Sequence, residues 1–308
     1  MAEIKGPDGG WDYASFDAAK RRVLISRGFG VMAIDPGSQT VTRLAPGDHV
    51  HANVLLPDGR LLITNGTSNT VTLANGTTGA IEATIRVDKF PDAAAYDPAS
   101  GHAFIMNGDS GFVTVIDPDP ANTKKLARIP VGGKLEFAAV DGAGTLFVNV
   151  EDKAQIAVID TKTNQVKTMF KLAGCEEPSG LAYVAPYHLL ISACGNGHAK
   201  VLDATDGHEV ADLEIGPHPD AVLYDQQRGV AYIPTAGSIL KNGEIAVLRV
   251  AGPRDVSVVD RIATERGART IAEDPKTGRL YLPTADYTIG LHGPHPVDGT
   301  FRVLVVAP

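Results

Sequence analysis

Leu62-Ile63-Thr64-Asn65, Phe104-Ile105-Met106-Asn107 and Leu146-Phe147-Val148-Asn149 share one pattern, and their asparagines stand 42 residues apart. Degenerate copies extend the series: Leu24-Ile25-Ser26-Arg27 before it, then Leu190-Ile191-Ser192-Ala193, Tyr232-Ile233-Pro234-Thr235 and Tyr281-Leu282-Pro283-Thr284. That makes seven copies, and a repeat of this period is read before any individual segment because it dictates the whole architecture.

Each copy has the same surroundings. Ahead of it lies an apolar segment that ends in a turn, as in Ala94-Ala95-Tyr96-Asp97-Pro98-Ala99-Ser100-Gly101 and Ile271-Ala272-Glu273-Asp274-Pro275-Lys276-Thr277-Gly278. Asp-Pro followed by Gly is hairpin chemistry, since Pro presets φ and Gly accepts φ > 0. Behind it come a third alternating strand, such as Ile156-Ala157-Val158-Ile159-Asp160, and a fourth, such as Gln165-Val166-Lys167-Thr168-Met169-Phe170. Four short strands per unit of about 40 residues predict an all-β, seven-bladed β-propeller with four antiparallel strands per blade.

The chain ends support closure. Phe301-Arg302-Val303-Leu304-Val305-Val306 matches a third strand, and Ala2-Glu3-Ile4-Lys5-Gly6-Pro7-Asp8 aligns with the fourth-strand end Ala211-Asp212-Leu213-Glu214-Ile215-Gly216-Pro217. The last blade is therefore expected to be closed by the N-terminal strand, which removes open edges, and residues 1–308 are expected to form one domain. The N-terminal strand is short and starts at Met1-Ala2, which suggests an export signal removed from a longer natural N-terminus.

Composition narrows the function classes. The 308 residues are 44% hydrophobic and 21% charged, with 33 Gly and 20 Pro, an ordinary globular balance. A net charge of -8, with Lys and Arg scattered singly, gives no stripe to neutralise phosphates, so no nucleic-acid partner is expected. No apolar run approaches the ~18 residues of a spanning helix. A monomer is expected.

The tetrapeptide series resembles the YVTN-repeat β-propellers, a bacterial family named for that second-strand pattern, over essentially the whole chain. Gly174-Cys175-Glu176-Glu177-Pro178-Ser179-Gly180-Leu181-Ala182 resembles a subgroup of them, as does Gly267-Ala268-Arg269-Thr270-Ile271-Ala272-Glu273-Asp274-Pro275-Lys276-Thr277 with Tyr281-Leu282-Pro283-Thr284-Ala285. The resemblance implies a periplasmic or cell-surface location and implies no particular activity.

Calling the four strands of a blade a to d, the a–b and c–d turns share one face of a propeller, and the b–c and d–a loops share the other. The first face is stereotyped: Asp17, Asp58, Asp97, Asp141, Asp225 and Asp274 fall in a–b turns, and Asp35, Asp117, Asp160 and Asp203 end third strands. These ten acids are read as turn-formers. The other face varies in length and chemistry, as expected where loops carry function. Its innermost residues, around the starts of strand a, are Trp11 and Asp12, His49 and His51, Asp92, Glu136, Glu177 and Ser179, His218 and Asp220, and Arg269. His198, His292 and His295 map to the same face, and residues 286–299 form the longest loop, a candidate flap.

Carboxylates and imidazoles converging on one mouth suit a divalent metal ion, or neighbouring groups whose pKa values repel one another apart. His51, Glu136, His218 and Asp220 are the first ligand candidates, with His49, Asp92, Asp12 and Glu177 as alternates and Arg269 as a candidate oxyanion stabiliser. His49-Val50-His51 would chelate as alternate residues of an extended segment. Cys175 and Cys194 fall near the same end of one blade, where a disulfide would suit an oxidising compartment. No Walker loop, dinucleotide fingerprint, Gly-x-Ser-x-Gly elbow or His-Glu-x-x-His occurs. Two functions remain. One is an extracytoplasmic binding or scaffold propeller that uses the b–c and d–a face for a small ligand or protein partner. The other is a metal-dependent hydrolase or lyase, lactonase- or esterase-like, similar in layout to gluconolactonase-type and streptogramin-lyase propellers with one divalent ion at the channel mouth.

Overall fold

The protein is described by a computed structural model covering residues 1–290 and 293–307. Seven four-stranded antiparallel sheets form a ring of blades. Their first strands, innermost in the ring, begin at Trp11, Val50, Pro91, Leu135, Pro178, Leu223 and Ala272. The seventh blade runs Ala272–Glu273, Leu280–Thr284, Arg302–Val306 and then Ala2–Lys5, with Ala2 opposite Val305 and Lys5 opposite Arg302. The N-terminal strand thus completes the last blade, as the sequence predicts.

Alternation places apolar residues on both faces of each blade, and adjacent blades bury them against each other. Seven apolar clusters result among the described residues, one at each junction between neighbours. The closing junction is built like the rest: Val23, Ile25, Met32 and Ile34 of blade one pack on Ile4, Tyr281 and Val303 of blade seven. The recurring Asn is buried and hydrogen-bonded. Asn107 donates through Nδ2 to Phe112 O (2.7 Å) and Thr114 Oγ1 (3.1 Å), and Asn149 donates to Ser179 O (2.9 Å) and Gly180 O (3.1 Å), tying blade four to blade five.

All ten repeated aspartates accept backbone N–H groups of their own turns, for example Asp97 from Ala99 (3.2 Å) and Ser100 (3.0 Å), and Asp160 from Lys162 (3.0 Å) and Thr163 (2.8 Å). Cys175 and Cys194 are joined by a disulfide with Sγ–Sγ 2.06 Å. The bond ties the loop entering blade five to the end of that blade's second strand.

The segment after Thr284 is partly ordered into a hairpin, Tyr287–Gly290 against Gly293–Pro296. His292 lies outside the described residues.

Candidate site at the channel mouth

Where strand a begins, the pairing with strand b slips. Trp11 pairs with Arg27 and the next pair is Ala14 with Ile25; Val50 pairs with Asn65 and the next pair is Asn53 with Ile63. The same slip follows Pro91, Leu135 and Pro178. An extra residue in one strand bends it and re-aims a side chain, a device common beside functional sites. The re-aimed residues are Asp12, His51, Asp92, Glu136 and Ser179, and Asp220 and Arg269 hold the corresponding places in blades six and seven. They form a seven-membered ring at the mouth.

The residue two places earlier has a different role. His49 (φ 51), Phe90 (φ 56), Glu177 (φ 48) and His218 (φ 55) take the left-handed conformation, and their carbonyls accept from Gly66 (3.0 Å), Gly108 (2.7 Å), Gly195 (3.2 Å) and Ala236 (3.1 Å). This step fastens the d–a loop to the b–c loop. It also corrects three ligand candidates: His49, Glu177 and His218 are exposed rim residues, and blade five contributes Ser179 to the ring instead of Glu177. His49 reaches His51 through this turn, with ring centroids 4.5 Å apart, and not through strand alternation.

Three ring residues meet closely. His51 Nδ1 lies 2.6 Å from Asp12 Oδ2 and 3.1 Å from Asp92 Oδ1, so residues from three blades converge on one point. His51 is only 8% exposed, its Nε2 has no hydrogen-bond partner, and its ring packs on Phe90 at 4.6 Å. A Cβ at Gly66 would stand 2.9 Å from His51 Cδ2 and Nε2, so the glycine is what lets the imidazole lie flat against the loop. Glu136 pairs with Lys134 (3.1 Å), which also contacts Glu151. Asp220 pairs with Arg269 Nε at 3.1 Å, which gives Arg269 a standing carboxylate partner. Ser179 donates to Pro219 O (2.8 Å), and Thr270, the neighbour of Arg269, donates to Asp12 O (3.0 Å), so these two hydroxyls bind neighbouring blades together.

Crowding acids in a partly dry mouth favours their neutral forms. Burial, reinforced by the charge of Asp12, pushes Asp92 up to about 7. Burial and the charge of Asp92 push Glu136 up to about 10. Asp12 is raised well above the usual carboxylate range by burial and Asp220, and Asp220 is raised by burial against the opposing pull of Arg269. Burial lowers the His51 imidazole, against the carboxylates beside it.

Beside the ring opens a cavity of about 720 Å³. Asp12, Asp220 and Arg269 line its polar side, and Trp11, Tyr287, Ile239, Leu240, Pro294 and Pro296 its apolar side. The walls come from the long b–c loops of blades six and seven: residues 236–240 of the first, and Tyr287, Pro294 and Pro296 of the second. Arg266 donates to Ser238 O (3.0 Å) and Ile239 O (2.6 Å), which holds the first loop in place. The 286–299 segment thus does border the mouth. The 236–243 loop is a contributor that reading for motifs missed; its length, eight residues between Thr235 and Glu244 where Asn65 and Thr70 are separated by four, is the signal that identifies it.

No protein-family model matches the chain, and no curated protein matches it. Solved structures share its fold. A chain in the crystal structure of a mitotic checkpoint complex aligns with TM-score 0.77 at 14% identity, over 91% of this chain and 86% of that one. The structure of U3-55K aligns with TM-score 0.80 at 9% identity, over 98% and 97%. A chain of hydrazine synthase from Kuenenia stuttgartiensis aligns with TM-score 0.75 at 17% identity, over 91% and 94%. At these identities the likeness is one of fold alone.

Proposed function

We propose that this protein is an extracytoplasmic, monomeric, single-domain propeller that binds a small ligand at its channel mouth. The observation that carries the reading is the cavity of about 720 Å³, which is of ligand size and pairs one apolar wall with a few convergent polar groups. The YVTN-type repeat and the Cys175–Cys194 disulfide support the location, since disulfides persist in oxidising compartments. Among the described residues no helix is long and apolar enough to cross a membrane. Trp11, the sole tryptophan, lines the cavity and serves as a built-in reporter. A soluble-metabolite screen read by Trp11 fluorescence should give saturable changes that a Tyr287→Ala, Leu240→Ala variant weakens. If no compound moves the emission or the melting temperature while a protein partner captured on the same face does, the small-ligand reading is wrong and the scaffold reading replaces it.

The Asp12–His51–Asp92 convergence favours a second reading, a divalent ion with metal-assisted hydrolysis or lysis at the mouth. One ring nitrogen and two carboxylate oxygens from three blades fit the mixed N/O ligand sets of first-row ions. Such an ion would polarise a carbonyl or activate water. Metal content by mass spectrometry, with thermal melts across Ca, Mg, Mn, Zn and Cu, tests it. About one equivalent of a stabilising metal, lost in Asp92→Asn, is the result expected of this reading, and a metal-free protein indifferent to all five ions overturns it.

A further inference from the structure

The charges around the mouth do not balance. Five carboxylates, Asp12, Asp92, Glu136, Glu151 and Asp220, face three cations, Lys134, Arg266 and Arg269. Lys134 is taken up by Glu136 and Glu151, and Arg269 by Asp220. Arg266, the other guanidinium at the cavity, is engaged with loop carbonyls. Fully ionised, the carboxylates exceed these cations by two, and low-dielectric walls concentrate that field on whatever enters.

The wall beside the acids has a separate character. Trp11 and Tyr287 meet edge to face with centroids 6.5 Å apart, and both rings line the cavity. Ile239 is 51% exposed and Leu240 96%, both on the loop that bounds it, and Ile289 on the facing hairpin is 59% exposed. Apolar side chains left in water around a cavity mark a surface that an apolar body covers. Aromatic faces next to an acidic floor attract a cation, with the ring quadrupole and the carboxylates acting in the same sense. A hydrated metal ion would leave the aromatic and aliphatic wall without a role.

We propose that the cavity selects an organic cation: an ammonium group placed over Asp12 and Asp220, carried on an apolar, ring-sized body that packs against Trp11 and Tyr287 and under the Ile239–Leu240 loop. This rests on the small-ligand reading above and names its ligand class.

The test uses the whole chain, stripped with EDTA, and three probes of one shape: phenethylamine, 2-phenylethanol and 3-phenylpropionate. Each is titrated at low salt against Trp11 emission, with thermal melts in parallel. The amine should bind about tenfold tighter than the alcohol, a difference of about 1.4 kcal/mol, and the carboxylate weakest. Asp12→Asn should remove most of the amine's advantage and leave the alcohol unchanged, and 0.5 M salt should do the same in the wild type. Near-UV circular dichroism of Asp12→Asn establishes that the fold is intact; should that variant fail to fold, the salt titration decides alone. If amine and alcohol bind alike, or the carboxylate binds best, the charge class is wrong while the cavity reading survives. If no probe binds while Mn or Zn raises the melting temperature of the stripped protein, both give way to the metal reading.

Discussion

Arg27 should prove to be the residue on which closure of the ring most depends. It ends the second strand of blade one, where blades two, three and four carry Asn, and it is completely buried. Its partners are carbonyls and rings, not a carboxylate: Nε donates to Gly10 O (3.0 Å), and Nη2 to Pro7 O (2.7 Å) and Gly9 O (3.0 Å). Its guanidinium lies 3.8 Å from the centroid of Phe301. Burial lowers its pKa to about 10, which leaves it charged at neutral pH. The segment it holds, residues 7–10, follows the strand that completes blade seven. Replacing Arg27 by Met keeps the length and the apolar contacts and removes every donor. Gly10 O keeps the Gly28 N–H (3.0 Å), but the carbonyls of Pro7 and Gly9 lose this donor. Two lost charge-assisted bonds at about 1.5–3 kcal/mol each, offset in part by the relieved desolvation of the cation, leave a net loss of about 3–5 kcal/mol. At about 2 °C per kcal/mol for a chain of this size, the melting temperature should fall by roughly 6–10 °C. Hydrogen exchange should locate the damage at the Ala2–Lys5 amides paired with Arg302–Val305. A variant that melts within about 2 °C of wild type with those amides still protected would refute the clasp.

Replacing both Cys175 and Cys194 by Ala should destabilise by about 3 kcal/mol, given a separation of 19 residues, and calorimetry under oxidising conditions reads it directly. Gly66→Ala should displace His51 from Asp12, because the added Cβ would stand 2.9 Å from the ring; a shift of the His51 ring resonances with little change in melting temperature is the expected pattern. Glu273, in contact with Asp225, Arg228 and Asp274 on the stereotyped face, is raised by burial and Asp225 to about 7. Stability tied to its neutral form is therefore complete below about 4.5 and lost as pH rises through 7, and Glu273→Gln should flatten melting temperature against pH across that window. Glu136 is raised to about 10 by burial and Asp92, so the same sign applies over a wider window, and Glu136→Gln should be the more stable protein at pH 8.

The fold was legible because its signals are local and repeated. The tetrapeptides fix strand b, and the Asp turns fix where strand a ends, each by chemistry within a few residues. The mouth was harder for an identifiable reason. The slip at the start of strand a inserts one residue, and a period of two cannot say which of two neighbours then faces the channel. Reading therefore gave pairs, His49 with His51, Glu177 with Ser179 and His218 with Asp220, of which the second member of each belongs to the ring. The convergence of Asp12, His51 and Asp92 joins residues about 40 apart in three blades and depends on ring geometry that no single repeat contains. The 236–243 loop carries no motif, only extra length.

One ring position shows what the architecture itself requires there. Ser179 is small, neutral and hydrogen-bonded to the backbone of the next blade, so a hydroxyl suffices to join blades at the mouth. Blades one, three, four and six instead place the carboxylates of Asp12, Asp92, Glu136 and Asp220 there, paired with His51, Lys134 and Arg269. Their raised pKa values mark a cost that each imposes on the folded state at neutral pH, and the four costs compound because the groups raise one another. A stability cost concentrated at one site is a mark of binding or chemistry. A gain in stability for Glu136→Gln at pH 8, accompanied by weaker binding of a cation, would separate the two roles. Lost stability would mean that the acids hold the blades after all.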